Sequence, residues 1–153
     1  MNNSFFLQEL EVDLKATKKN VEKILEKYRM YLGTIPNDIQ PKMTPSYSIL
    51  PPVKTNEFYS STESIAIERI EYEQERDTFM QVIYEAVNNL KQDERFIIIK
   101  RYMEADMGYD PDIYAELGVG KTKYYAMKRQ AMSRLAFMLK IEMYKKENSK
   151  RAI

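Results

Sequence analysis

The chain of 153 residues contains no cysteine and no histidine. Disulfides, thiol nucleophiles, zinc sites with cysteine or histidine ligands and histidine-based acid–base catalysis are thereby excluded. Glycine is scarce, at 4 residues, and no apolar run approaches the roughly 18 residues that a membrane span needs. The N-terminus shows no signal-peptide pattern. Together these absences point to a soluble cytoplasmic protein without membrane contact, and the lack of any paired catalytic constellation or metal-ligand cluster argues against an enzyme or a bound cofactor. What is present is 44% apolar and 31% charged residues, a balance suited to helices with one buried and one solvated face.

The net charge of +1 hides an uneven distribution. Residues 1–56 carry +2, residues 57–116 carry −9 and residues 117–153 carry +8. A basic end on a nearly neutral chain suits a polyanionic partner.

The spacing of apolar residues predicts an all-α fold. Val21, Ile24, Leu25, Tyr28, Tyr31 and Leu32 recur at three- and four-residue steps, so a helix over 13–32 carries one apolar stripe. The rest of the chain or a second copy in a homodimer would satisfy that stripe. Gly33 follows, where a left-handed residue can end a helix. Five of the six prolines then fall between Pro36 and Pro52, which predicts an extended connector over 33–59. Ser60-Ser61-Thr62-Glu63 reads as a capping box opening a long helix to about Leu90. The acidic first half of that helix, Glu68 to Asp77, reads as a solvated face. Its second half carries a core stripe of Phe79, Val82, Ile83, Ala86, Val87 and Leu90. Arg95–Met103, with four apolar residues in a row, is assigned to a helix because no second strand is available to pair with it. Met107-Gly108-Tyr109-Asp110-Pro111 reads as a turn.

Two segments near the end carry the functional expectation. A short helix over 112–117, a turn at Gly118 and Val119, and a second helix from Lys121 to about Tyr144 form a helix-turn-helix pattern, with its centre at 112–135. Ile113, Leu117, Val119, Tyr124 and Met127 are spaced to bury the two helices against each other, with the stripe continuing through Ala131, Leu135 and Met138. Lys121, Thr122, Tyr125, Lys128 and Arg129 are expected on the outward face. The major groove admits one helix whose first residues reach base edges, and flanking cations neutralise phosphates. Lys121, Thr122, Tyr125 and Arg129 are therefore the expected base contacts, and Lys123, Lys128 and Arg134 the expected phosphate contacts on double-stranded DNA. Gly118-Val119-Gly120-Lys121-Thr122 has the look of a phosphate-binding loop, but Ala115 stands where that motif needs glycine, and no strand is predicted before it.

The stretch from Leu90 to Leu135 resembles region 4 of bacterial sigma factors, through Glu94-Arg95-Phe96-Ile97-Ile98-Ile99-Lys100-Arg101-Tyr102 and Asp112-Ile113-Tyr114-Ala115-Glu116-Leu117-Gly118-Val119-Gly120-Lys121. Tyr114 stands where sigma factors usually have alanine. Nearly the whole chain is similar to the ArpU family of phage and prophage late-gene regulators, through Thr17-Lys18-Lys19-Asn20-Val21, Tyr28-Arg29, Ser61-Thr62-Glu63, Ile113 to Gly118, Tyr124 to Lys128 and Ala131. That family is expected to have tyrosine at 114, while Gly120 departs from its usual serine. The resemblance implies a sigma-like DNA-binding domain at 60–146, preceded by an N-terminal helical arm (1–32) and a Pro-rich linker (33–59) and followed by a tail (147–153). It further implies activation of late packaging or lysis genes at a promoter in a bacterial host, with host RNA polymerase as a partner. A terminase small subunit and a sigma-mimicking module that docks on RNA polymerase are alternatives with the same pattern.

Overall fold

Asp13 fixes where the first helix begins. It is extended, and its carboxylate accepts the Ala16 N–H at 3.1 Å, satisfying one of the amides that lack an intrahelical partner. The computed structural model describes residues 11–35 and 63–146. Five helices follow one another: α1 (Leu14–Leu32), α2 (Glu63–Asn88), α3 (Gln92–Ile98), α4 (Asp110–Leu117) and α5 (Lys121–Leu139). Helix α3 runs on as a π-helical stretch, Ile99–Met103. Among the described residues there is no strand, only an isolated antiparallel bridge between Val12 and Tyr144, so the fold is all-α. No helix among them is long and apolar enough to cross a membrane. The connector and the capping residues Ser60 to Thr62 fall largely outside the described residues, as does the tail.

Helix α1 stops at Gly33, though not by the left-handed route the sequence suggests. Gly33 has φ −65°, and the last turn tightens instead, with Thr34 N–H donating to Tyr31 O at 2.9 Å and Ile35 N–H to Leu32 O at 3.2 Å. The stripe of α1 is satisfied within the chain. Val21, Leu25, Tyr28 and Leu32 are buried in one core with Met80, Ile83 and Val87 of α2, with Ile99 and Tyr102, and with Ala131 and Leu135 of α5. Helix α1 is thus packed into the body, because its apolar side is driven out of water and α5 offers a matching one. Truncating a fully buried member such as Leu25 to alanine would cost about 2–5 kcal/mol. Helix α2 meets this core along Met80, Ile83 and Val87, which leaves Val82 49% exposed, so the stripe is narrower than the sequence suggests. Its acidic half lies on the surface, as Glu68, Glu71 and Glu75 are exposed. Tyr31 packs edge-on against both Tyr72 and Phe79, which anchors the middle of α2 to the end of α1.

Phe96, Ile97, Ile98 and Ile99 are all buried. This apolar run divides two cores: Ile98, Ile99, Tyr102 and Met103 face the main one, while Phe96 and Ile97 join a smaller one with Ile113 and Tyr124. Glu94 accepts the Lys91 N–H at 3.2 Å, and Arg95 donates to the carbonyls of Asn88 and Leu90 at 3.1 Å each, which sets the corner between α2 and α3.

Asp110 opens α4, two residues earlier than the sequence spacing predicts, with Pro111 in its first turn. At its end Gly118 takes φ +69°, and Gly118 N–H and Val119 N–H bond Ala115 O and Tyr114 O, a Schellman cap that needs the left-handed residue. Gly120, extended, then begins α5. The segment Gly118 to Lys121 follows a helix, so a phosphate-binding loop, which follows a strand, is ruled out here. Helix α5 ends at Leu139 and not near Tyr144, because Lys140 turns left-handed (φ 57°) and Ile141 N–H bonds back to Ala136 O at 2.9 Å. Met138, expected in the core, is 41% exposed as a result of lying in this last turn. Beyond it the chain runs antiparallel to residues 11–13: Asp13 N–H donates to Met143 O at 2.7 Å and Lys145 N–H to Glu11 O at 2.8 Å. Thr17 completes the tie, since its hydroxyl accepts the Met143 N–H at 2.9 Å and donates to Met143 O at 3.3 Å.

Candidate nucleic-acid interface

The small core of Phe96, Ile97, Ile113 and Tyr124 sets the geometry of α4 and α5, with Leu117, Val119, Tyr125 and Met127 packed partly against it. Every residue that the sequence assigned to this contact lies in it. The rings of Tyr114 and Tyr124 stand 5.4 Å apart at 59°, so the bulk at position 114 is used as packing across the two helices.

Asp110 ties this core to the rest of the molecule. It accepts the Tyr124 hydroxyl at 2.6 Å and Lys128 Nζ at 3.0 and 3.2 Å, and Arg101 Nε lies 3.5 Å away. Burial alone would push its carboxyl up. The bonds from Tyr124 and Lys128, with the charges of Lys128 and Arg101, outweigh that and hold it below the ordinary value. The same burial pushes Lys128 down, only partly offset by Asp110, and raises the Tyr124 phenol with help from the Asp110 charge. The first residue of α4 therefore grips α5 one and two turns into its length. Sequence reasoning missed this role because Asp110-Pro111 reads as a turn signal.

The expected contact residues divide into groups. Lys121, Thr122 and Lys123 are exposed on the first turn of α5, and Arg129 is exposed two turns on. The first turn bears no acidic side chain, and Gly120 caps it without a side-chain bond, leaving amides and the positive end of the helix dipole facing outward. Tyr125 is half-buried, edge-on to Tyr124 at 5.2 Å, so it serves the small core while still reaching the surface. Lys128 is a correction. It is 6% exposed and not on the outward face, its charge is paired with Asp110, and its Nζ lies 5.4 Å from the Tyr102 ring and 5.8 Å from that of Tyr125. Arg134 is intermediate: its side chain is 44% exposed, with Nε 3.2 Å from the buried Glu94 carboxylate.

A groove of about 750 Å³ runs beside the outward flank of α5, between Tyr125, Arg129 and Ser133 on one side and Leu14, Lys15 and Lys18 of α1 on the other. Among the described residues no three acidic, cysteine or histidine side chains converge as metal ligands.

Compared with proteins of known sequence, the chain is 32% identical over 131 residues to an uncharacterized phage-related protein of Listeria innocua, an alignment covering 86% of this chain and 92% of that one. No family model and no solved structure matches it.

Proposed function

Because the chain belongs to the family of that phage-related Listeria protein, we propose that it is a non-enzymatic regulator that binds double-stranded DNA through α4 and α5. In this reading the two helices are a sigma region 4-like helix-turn-helix, and the protein is a late-gene activator of the ArpU type acting in the host cytoplasm. One observation carries the proposal: Lys121, Thr122 and Lys123 stand exposed together on the first turn of a nineteen-residue helix whose inner side is clamped on Tyr124. A helix that offers its N-terminal turn to solvent on a fixed base, with cations and no acid there, has the shape and sign that a major groove accepts. Lys121, Thr122, Tyr125 and Arg129 are assigned to base edges and Lys123 to phosphate.

Mobility shift with the purified full chain on late-promoter duplex tests the reading. Lys121→Ala is expected to weaken the preferred site by about 1–3 kcal/mol relative to other sequences. Lys123→Ala is expected to weaken all duplexes alike and flatten the salt dependence by roughly one unit. A shift that requires added RNA polymerase would favour the polymerase-docking alternative instead.

A further inference from the structure

A nineteen-residue helix is roughly 28 Å long at 1.5 Å per residue, while the major groove is about 12 Å wide. A helix that reads bases with its first turns therefore carries its later turns past the bordering phosphate strand. The groove beside α5 begins at Tyr125, within the base-reading turns, and runs on along the later ones to Arg134. Lys15 and Lys18 on one side and Lys128, Arg129 and Arg134 on the other line it, together with the apolar Leu14 and Met132, and among the described residues none of its lining is acidic. Among the described residues, carboxylates outside the groove engage three of these cations: Glu22 lies 3.9 Å from Lys18, whose side chain is still 53% exposed, Glu94 pairs with Arg134, and Asp110 holds the buried Lys128 at 3.0 Å, which leaves Lys15 and Arg129.

We propose that this groove is a cradle for the DNA phosphate backbone, so that the first turn of α1, through Lys15 and Lys18, is part of the interface. The inference rests on the DNA-binding reading of α5 and extends it to a helix nearly the whole chain away in sequence. Two features favour a phosphate strand as the occupant. The cations sit on both walls of the groove, and Arg129 belongs at once to the groove and to the outward face that begins at Lys121, so the positive surface is continuous. The α1 wall is also pre-organised, since the Asp13–Met143, Lys145–Glu11 and Thr17–Met143 hydrogen bonds fix it against the end of the chain. Little ordering is then left for binding to impose.

The test is fluorescence anisotropy with the full chain on a late-promoter duplex and on an unrelated duplex of equal length, from 50 to 200 mM salt. The double variant Lys15→Ala/Lys18→Ala is expected to lose affinity for both duplexes by the same factor. Its salt slope should fall by roughly 0.9 per lysine, with site preference unchanged. Both lysines are exposed, so its thermal melt should match the parent. Parental affinity and slope in this variant, alongside weakened binding by Lys121→Ala/Lys123→Ala, would overturn the cradle and leave the DNA reading standing. Absence of DNA binding by the parent chain would overturn both. Groove-dependent binding of an acidic helical peptide in its place would give the groove to a protein.

Discussion

The Tyr124 hydroxyl donates to Asp110 Oδ1 across 2.6 Å, although the Tyr124 side chain is fully buried. One bond thus joins the start of α4 to the second turn of α5 beneath the exposed first turn. The angle between the two helices, and so the presentation of Lys121 to Lys123, depends on it.

Tyr124→Phe keeps the ring and removes the donor. It is expected to lower stability by about 1.5–3 kcal/mol, the range for a hydrogen bond to a charged group. Equilibrium urea unfolding reads this directly, and an unchanged midpoint would mean that the bond contributes nothing net.

Acid should weaken the same junction. Burial opposes ionisation of Asp110, but Tyr124, Lys128 and Arg101 prevail and hold its folded-state pKa below the ordinary 3.8. A carboxylate depressed on folding contributes stability that is present above its unfolded pKa and is lost as pH falls through the folded one. Asp110→Asn is therefore expected to be less stable than the parent at pH 7, with the gap starting to narrow as pH falls below 3.8. Urea titrations at pH 7 and below pH 3.8 check this, and a gap of constant size would contradict it.

Two backbone positions should respond with opposite signs. A Cβ on Gly108 would lie 2.8 Å from Lys100 O and 3.3 Å from Ile113 Cδ1, so Gly108→Ala must push the start of α4 away from the π-helical stretch. A loss of about 1–3 kcal/mol is expected, as for other overpacked sites. Lys140 holds φ 57° without being glycine, so Lys140→Gly is expected to gain up to about 1 kcal/mol by relieving left-handed strain. Thermal unfolding of the pair should move in opposite directions.

Thr17 holds the end of the chain from inside α1. Thr17→Val leaves the Met143 amide without its acceptor and is expected to cost about 1–3 kcal/mol. Amide hydrogen exchange at Met143 should accelerate before that of the α5 core, and uniform exchange would show that the segment is held by something else.

The division between what sequence shows and what it hides follows from the range of the interactions. The stripe from Val21 to Leu32 and the contact of Ile113 with Tyr124 were legible because helical periodicity is a local rule. That α1 packs on α5 was not, since an apolar stripe states that it needs a partner and never which one. Lys128 shows the same limit at a single residue: its position in the helix is one turn beyond Tyr124, hence inward, and only the carboxylate of Asp110 makes that tolerable for a charge. Gly33, expected to be left-handed, is not, while Lys140 is, since the residue type permits a left-handed turn but the path of the chain decides where one is made. The groove combines residues more than a hundred positions apart, and no local pattern marks it. Thr17 and Asn20 likewise gain a physical role only from the folded chain, because both bond the segment after α5.

The account stands most directly on DNA affinity measured against salt for the purified full chain and for Lys121→Ala/Lys123→Ala. It predicts that log affinity falls linearly with log salt for the parent, that the double variant has a shallower slope, and that the parent's preference for the late-promoter duplex is lost in the variant. Equal, salt-insensitive signals from the two proteins, or no binding by either, would contradict it.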